Sequence, residues 1–257
     1  MILATRLTLA EHLVMVTYDT SQRLRLYKIM INWNANAGDG NNQRITINPQ
    51  MAVLHVELLD RCIPQSPERA ASAQLSSLHI EPISQAIDNS TFTIVAIFTS
   101  AAQDHGSKFS IISRWDLQQT DALLHDSFKS LKSTAAQPAP NKPVQRLYRT
   151  DDIFSPKAIL ALQSNVYHNT FAFAASDGTV EFRSRETMQV IVSDGDSNKA
   201  TSLPQNGFSF SDEDCIDISL SPSLAASVIT KPDGTLKLHN AVYQHNWKDA
   251  KDDNGII

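Results

Sequence analysis

Cysteine, glycine and surplus charge are all scarce in this chain, and each scarcity closes off a class of function. Only two of its 257 residues are cysteine, Cys62 and Cys215. So far apart in sequence, they supply neither a dense disulfide scaffold nor a close-spaced zinc site, and they read as ordinary thiols of a reducing compartment. Eight glycines leave little backbone to cradle a phosphate, and no Walker-type loop, dinucleotide glycine pattern or Gly-x-Ser-x-Gly elbow is present. With 22 basic against 27 acidic side chains and a formal charge of −5, bulk attraction to a polyanion is weak, so no direct nucleic-acid contact is expected. No run approaches the roughly 18 apolar residues of a membrane-spanning helix, and the opening residues lack the basic-then-apolar layout of a secretion signal. Neither a membrane nor secretion is expected. Hydrophobic residues still make up 42% of the chain, too many for a disordered polymer and enough for one large domain or two ordinary ones.

What is present is a hydrophobic period near two, carried by β-branched and aromatic residues in short runs between turn residues, the pattern of half-buried strands. The run 13–18 (LVMVTY) is followed by a turn at 19–22 (DTSQ) and by the alternating run 23–29 (RLRLYKI), which predicts a hairpin. Residues 7–9 can add a third strand. A second unit is read from 51–59, 91–98 and 108–115, with long connections between its strands. The polar stretch 32–42 reads as a loop, and 133–143, with three prolines, as an extended linker. Between residues 120 and 131, Leu124, Phe128 and Leu131 fall at helical spacing, although 117–124 equally suits a strand.

The latter half of the chain repeats one sentence twice. Residues 170–176 lead through Asp177 and Gly178 into 179–183, and residues 224–230 lead through Asp233 and Gly234 into 235–239. Each is strand, Asp-Gly turn, strand, and each is preceded by a further strand, at 158–162 and at 215–220. An Asp-Gly pair suits a two-residue hairpin in which both central residues take positive φ. Asp177, Gly178, Asp233 and Gly234 are therefore assigned as structural turns. The two Asp-Gly-Thr triplets lie 56 positions apart, somewhat more than the roughly 40 to 50 residues of a propeller blade, and the excess falls in the polar loop 193–206.

A search for chemistry finds none. Glycosidic hydrolysis needs two converging carboxylates, and the Asp-Gly pairs are more simply turns. The eight histidines never fall at metal-ligand spacing. The acidic stretch 211–214 and the loop 194–196 carry oxygen ligands suited to calcium, but no distal glutamate completes a calcium loop, and both read as solvated loops. Trp115, closing a strand, reads as a packing anchor. No catalytic residue, cofactor or metal is expected, and the chain is not expected to be an enzyme.

Three segments carry a family resemblance. Residues 19–33 (DTSQRLRLYKIMINW), residues 173–188 (FAASDGTVEFRSRETM) and the stretch 206–223, with NGFSFSDEDC before ISLSPS, resemble the N-terminal β-propeller of the fungal Mediator tail subunit sixteen family. The likeness covers most of residues 7–240 in order. It implies a non-enzymatic, nuclear transcription coregulator: a scaffold of the Mediator tail that links activators to RNA polymerase II, with other tail subunits and activators as partners. The alternative is an unrelated WD-repeat adaptor of the cytoplasm. The fold expected is all-β, a partial WD-like β-propeller of about four antiparallel blades with long inter-strand loops. Its first two blades occupy 1–132, a proline-containing linker 133–150, its last two blades 151–245 and a polar tail 246–257. Four blades are few for a propeller, and family members are much longer, so the chain is expected to be a fragment.

Overall fold

The computed structural model describes residues 2–7, 12–36, 46–82, 92–100, 108–121, 143–165, 169–192, 203–210 and 213–243. Among these residues the protein is all-β: seventeen strands and one four-residue helix, α1 (Pro67–Ala70). The strands form several small sheets, as expected of a partial propeller-like fold. The chain divides into two compact units. One holds Met1–Ala70, Leu78–Ala96 and Ser113–Asp152, and the other holds Ala71–Ser77, Ile97–Ile112 and Ile153–Ile257.

In the first unit, β1 (Ile2–Leu7), β2 (His12–Tyr18), β3 (Leu24–Asn36) and β4 (Thr46–Leu59) form an antiparallel meander in chain order. Alternation in sequence becomes alternation in burial: Val14 and Val16 on β2 and Leu24 and Leu26 on β3 are all buried, and Val16 stands opposite Leu26. Two expectations are corrected here. The run 51–59 belongs to β4, paired with β3, and not to the second unit of strands. Residues 32–36, read as loop because they are polar, extend β3, since the long β3–β4 ladder supplies their backbone partners. The rest of that loop lies outside the described residues.

A five-stranded sheet follows, with β5 (Ala73–Pro82), β6 (Phe92–Ser100), β7 (Ser110–Asp121) and β8 (Pro143–Arg149) in order and β9 (Ile153–Ser155) paired with β7. The division between the units falls within β5, β6 and β7. Residues 92–98 of β6 are buried without interruption, the signature of a strand covered on both faces. Pro143–Arg149, the end of the stretch expected as linker, pairs antiparallel with β7 as β8. The remainder of that stretch, the helical spacing at 124–131 and the polar tail 246–257 lie outside the described residues.

The second unit contains the repeat. β10 (Ile159–Asn165), β11 (Thr170–Ala175) and β12 (Val180–Ser184) form one antiparallel sheet. β14 (Asp217–Leu220), β15 (Ala226–Thr230) and β16 (Leu236–Asn240) form the other. A short ladder of β13 (Phe208–Ser209) with β17 (Val242–Tyr243) ties the segment before the last sheet to the strand after it, with the rings of Phe208 and Tyr243 5.3 Å apart. The two sheets meet through Ala174 on one side and Ile218, Ile229 and Cys215 on the other, while Ala172 and Phe182 pack with Phe210 and Leu224.

Candidate interaction surface

The four residues assigned as turns sit in two hairpins of one design. In the first, Gly178 N–H donates to Ala175 C=O (3.0 Å) and Ala175 N–H to Thr179 C=O (2.9 Å). In the second, Gly234 N–H donates to Lys231 C=O and Lys231 N–H to Thr235 C=O, both at 2.9 Å. Gly178 (φ +80°) and Gly234 (φ +83°) are left-handed, but Asp177 and Asp233 are not among the positive-φ residues. The turn is thus a right-handed turn closed by one left-handed glycine, and not the two-residue turn the Asp-Gly pair suggests. The aspartate explains the difference. Asp177 Oδ1 accepts from the backbone N–H (3.1 Å) and hydroxyl (2.5 Å) of Thr179, and Asp233 Oδ1 accepts from those of Thr235 (2.9 and 2.7 Å). These bonds brace the turn without needing a left-handed aspartate. The β2–β3 hairpin repeats the same backbone bonds over residues 19–23, with Gln22 (φ 61°) where the others place glycine.

These carboxylates are occupied by their turns and do not converge on a reaction centre. Burial works to raise the Asp177 pKa, but hydrogen bonds from Lys157 and Thr179 outweigh it and hold the carboxyl below its usual range. Lys157 Nζ stands 2.7 Å from Asp177 Oδ2. At Asp233 the Thr235 bonds lower the pKa in the same way. Both thiols are buried and free; burial pushes Cys62 up to about 11 and raises Cys215, so neither supplies a ready thiolate. Trp115 is buried with the Arg149 guanidinium 5.3 Å from its ring, a packing anchor as expected. Arg149 is held in turn by Asp152 (2.9 Å), which also accepts from Ser113 Oγ (2.8 Å). A cleft of about 390 Å³ in the second unit is lined largely by apolar groups, among them Phe173, Phe208 and Val190. Among the described residues, no group of three or more His, Cys, Asp or Glu side chains could hold a metal ion, and no helix is long and apolar enough to cross a membrane.

Glu213 carries a role that its sequence context does not announce. It lies in the acidic stretch taken for a solvated loop, yet it joins the two repeated sheets. Its carboxylate meets Lys231 Nζ (2.5 Å) and Lys237 Nζ (2.8 Å), and those two lysines hold its pKa down at about 2. Its backbone lies against Gly178, where an added Cβ would fall on the Glu213 N and O atoms. Next to it, Cys215 N–H donates to Ser176 C=O (2.9 Å), and the Cys215 thiol points at Ala175 C=O (3.6 Å). The segment 213–215 is therefore a strap: its backbone clamps one hairpin and its carboxylate grips the other sheet. The sequence signal for it is weak, since a lone glutamate beside two aspartates looks like any polar loop.

Around these contacts the described residues of the second unit present exposed apolar surface. Leu236 and Leu238 on β16 are each 70% exposed, and Val228 beside them is 40% exposed. Large solvent-facing aliphatic side chains grouped on one sheet face are the kind of patch that other protein surfaces recognise.

A curated relative from Aspergillus clavatus, named Mediator of RNA polymerase II transcription subunit 16, is 29% identical over 250 residues, covering 88% of this chain and 26% of the relative. Proteins of the same name from Aspergillus fumigatus and Neosartorya fischeri are each 27% identical over 261 residues, covering 91% of this chain and 27% of each relative. The chain thus spans about a quarter of the length of the curated relatives it matches. The family described as Mediator complex subunit 16, N-terminal, matches residues 8–213, which take in the first hairpin and the first Asp-Gly-Thr turn and end at Glu213. The chain belongs to the Mediator complex subunit 16, N-terminal family.

Proposed function

We propose that this chain is a structural body of a Mediator subunit and acts in transcription coregulation by docking other proteins, not by catalysis. The family match over residues 8–213 carries the reading. The alternative of an unrelated cytoplasmic WD-repeat adaptor receives no support from the comparisons. The geometry is compatible with the docking role: small stiff sheets carry loops and exposed apolar side chains, and in such surfaces binding energy concentrates in a few residues. The carboxylates of the two repeated turns and both cysteines are engaged in holding the fold, which favours a passive scaffold over an enzyme. Within this proposal the partners are other Mediator subunits, those of the tail among them, together with gene-specific activators, and the protein works in the nucleus.

Copurification tests the proposal. The tagged full-length protein, expressed from its own locus and captured from nuclear extract, is expected to bring down other Mediator subunits in constant proportion. Capture of none of them, with the bait intact and nuclear, overturns the proposal.

A further inference from the structure

The outer edge of β12 is only half used. In the β11–β12 ladder Ala174 stands opposite Val180 and Ala172 opposite Phe182. The bond from Ala175 N–H to Thr179 C=O marks these as the non-hydrogen-bonded pairs, so the backbone groups of Val180, Phe182 and Ser184 point away from β11. At one end of that edge the chain supplies partners. Ser184 N–H donates to Gln189 C=O (2.9 Å), Met188 N–H to Ser184 C=O (2.9 Å) and Ile191 N–H to Phe182 C=O (2.8 Å). Pairing then stops after a single bridge between Arg183 and Val190. Among the described residues, nothing pairs with Phe182 N–H or with the N–H and C=O of Val180. The apolar cleft of the second unit lies along this stretch, lined by Val180 and Phe182 together with Val190, Pro204, Phe208 and Ser209. The Ser209 hydroxyl is buried, with no hydrogen-bond partner among the described residues. Lys157 and Glu181 also line the cleft, but Asp177 and Arg183 neutralise them.

We propose that the β12 edge and its cleft form a strand-addition groove, whose occupant is an extended, uncharged segment of a partner protein with aliphatic side chains at alternate positions. Backbone donors and acceptors left along a strand edge are matched by another backbone. Side chains on one side of an added strand then enter the cleft, because successive residues of a strand point to opposite sides. With Lys157 and Glu181 already paired, nothing in the cleft selects for a charged occupant. The chain's own residues 193–202 (SDGDSNKATS) match the groove poorly, since they carry no aliphatic side chain larger than alanine. A second copy fits no better. Its free edge offers Val180 and Phe182, whose side chains are already packed in its own core. The inference rests on the geometry of the groove and not on the Mediator role, so a failed copurification leaves it intact and its own failure leaves that role intact.

The test uses the whole 257-residue chain and, as probe, an end-capped nonapeptide alternating valine and threonine. In the free chain the Val180 and Phe182 amides are expected to exchange hydrogen fast, while that of Glu181, bonded to β11, exchanges slowly. The peptide should slow Val180 and Phe182 at least tenfold, with half-saturation below about 1 mM. The same peptide N-methylated at alternate residues, which cannot pair as a strand, should bind the parent at least tenfold more weakly. Val180→Pro removes an outward N–H and no ladder bond, and should weaken binding of the unmethylated peptide by a similar factor. No saturable binding, equal binding of the N-methylated peptide, or binding indifferent to Val180→Pro overturns the proposal. Slow exchange at Val180 and Phe182 without peptide also overturns it, by giving the edge to residues 193–202 of the chain itself. A dimer that Val180→Pro abolishes overturns it too, by giving the edge to a second copy.

Discussion

The hairpins at 175–179 and 231–235 have the same turn, the same bracing aspartate and threonine and the same left-handed glycine, yet their surroundings are opposite. The first is clamped by the strap 213–215 and backed by a sheet whose face is buried. The second is touched by the strap only through the Glu213 carboxylate on Lys231, and its glycine stands open beside exposed leucines. Local sequence sets the shape of a turn, whereas the next repeat sets how much that turn is worth to stability. Identical motifs should therefore respond very differently to identical substitutions.

The glycines give the largest contrast. Gly178→Val forces a β-branched residue into the left-handed region and drives its side chain into the Glu213 backbone. Strain and displacement together should cost about 4 kcal/mol or more, read as loss of the cooperative urea transition of the second unit. Gly234→Val meets only the backbone strain, about 1–3 kcal/mol. Equal losses at the two sites would show that the strap does not clamp the first turn.

The next contrast lies in the paired outer strands. Phe182→Ala empties a buried site among Ala172, Phe210 and Leu224 and should cost about 3–5 kcal/mol. The equivalent Leu238→Ala removes an exposed side chain and should stay within about 0.5 kcal/mol. A large loss at Leu238 in urea unfolding would mean that its face is covered.

The strap itself gives the smallest effect, and it depends on pH. The lysine contacts hold the Glu213 pKa at about 2, below its ordinary 4.5. A carboxyl lowered on folding stabilises the folded state fully above its ordinary value, and that contribution fades as pH falls from about 4.5 through about 2. The Tm of Glu213→Gln should accordingly lie below that of the parent at neutral pH, with the gap narrowing toward pH 2. A gap independent of pH would remove the ion cluster from the account.

Much of this was legible in the sequence, because period-two alternation and Asp-Gly-Thr turns are local signals. Residues 170–183 and 224–239 announced their hairpins, and the buried pairs Val14 and Val16, Leu24 and Leu26 followed from the pattern at 13–29. What escaped depended on pairing across distance. β5 at 73–82 is mixed in polarity, and Leu75, Leu78 and Ile80 give only a weak strand signal. The pattern at 51–59 groups β4 with the strands that follow it, but its ladder runs back to β3. The Asp-Gly pair alone does not reveal the turn type, because the threonine that follows it braces the aspartate outside the left-handed region. Glu213 was invisible for a different reason: its partners, Lys231 and Lys237, lie one sheet further on.

Hydroxyl-radical footprinting of the isolated 257-residue chain tests most directly the claim that equivalent faces of two repeated sheets are buried in one and bare in the other. Oxidation should be slow at Phe182 and Val180 and fast at Leu238 and Leu236, once each rate is corrected for the intrinsic reactivity of its side chain. Matching corrected rates at the equivalent positions would contradict the claim.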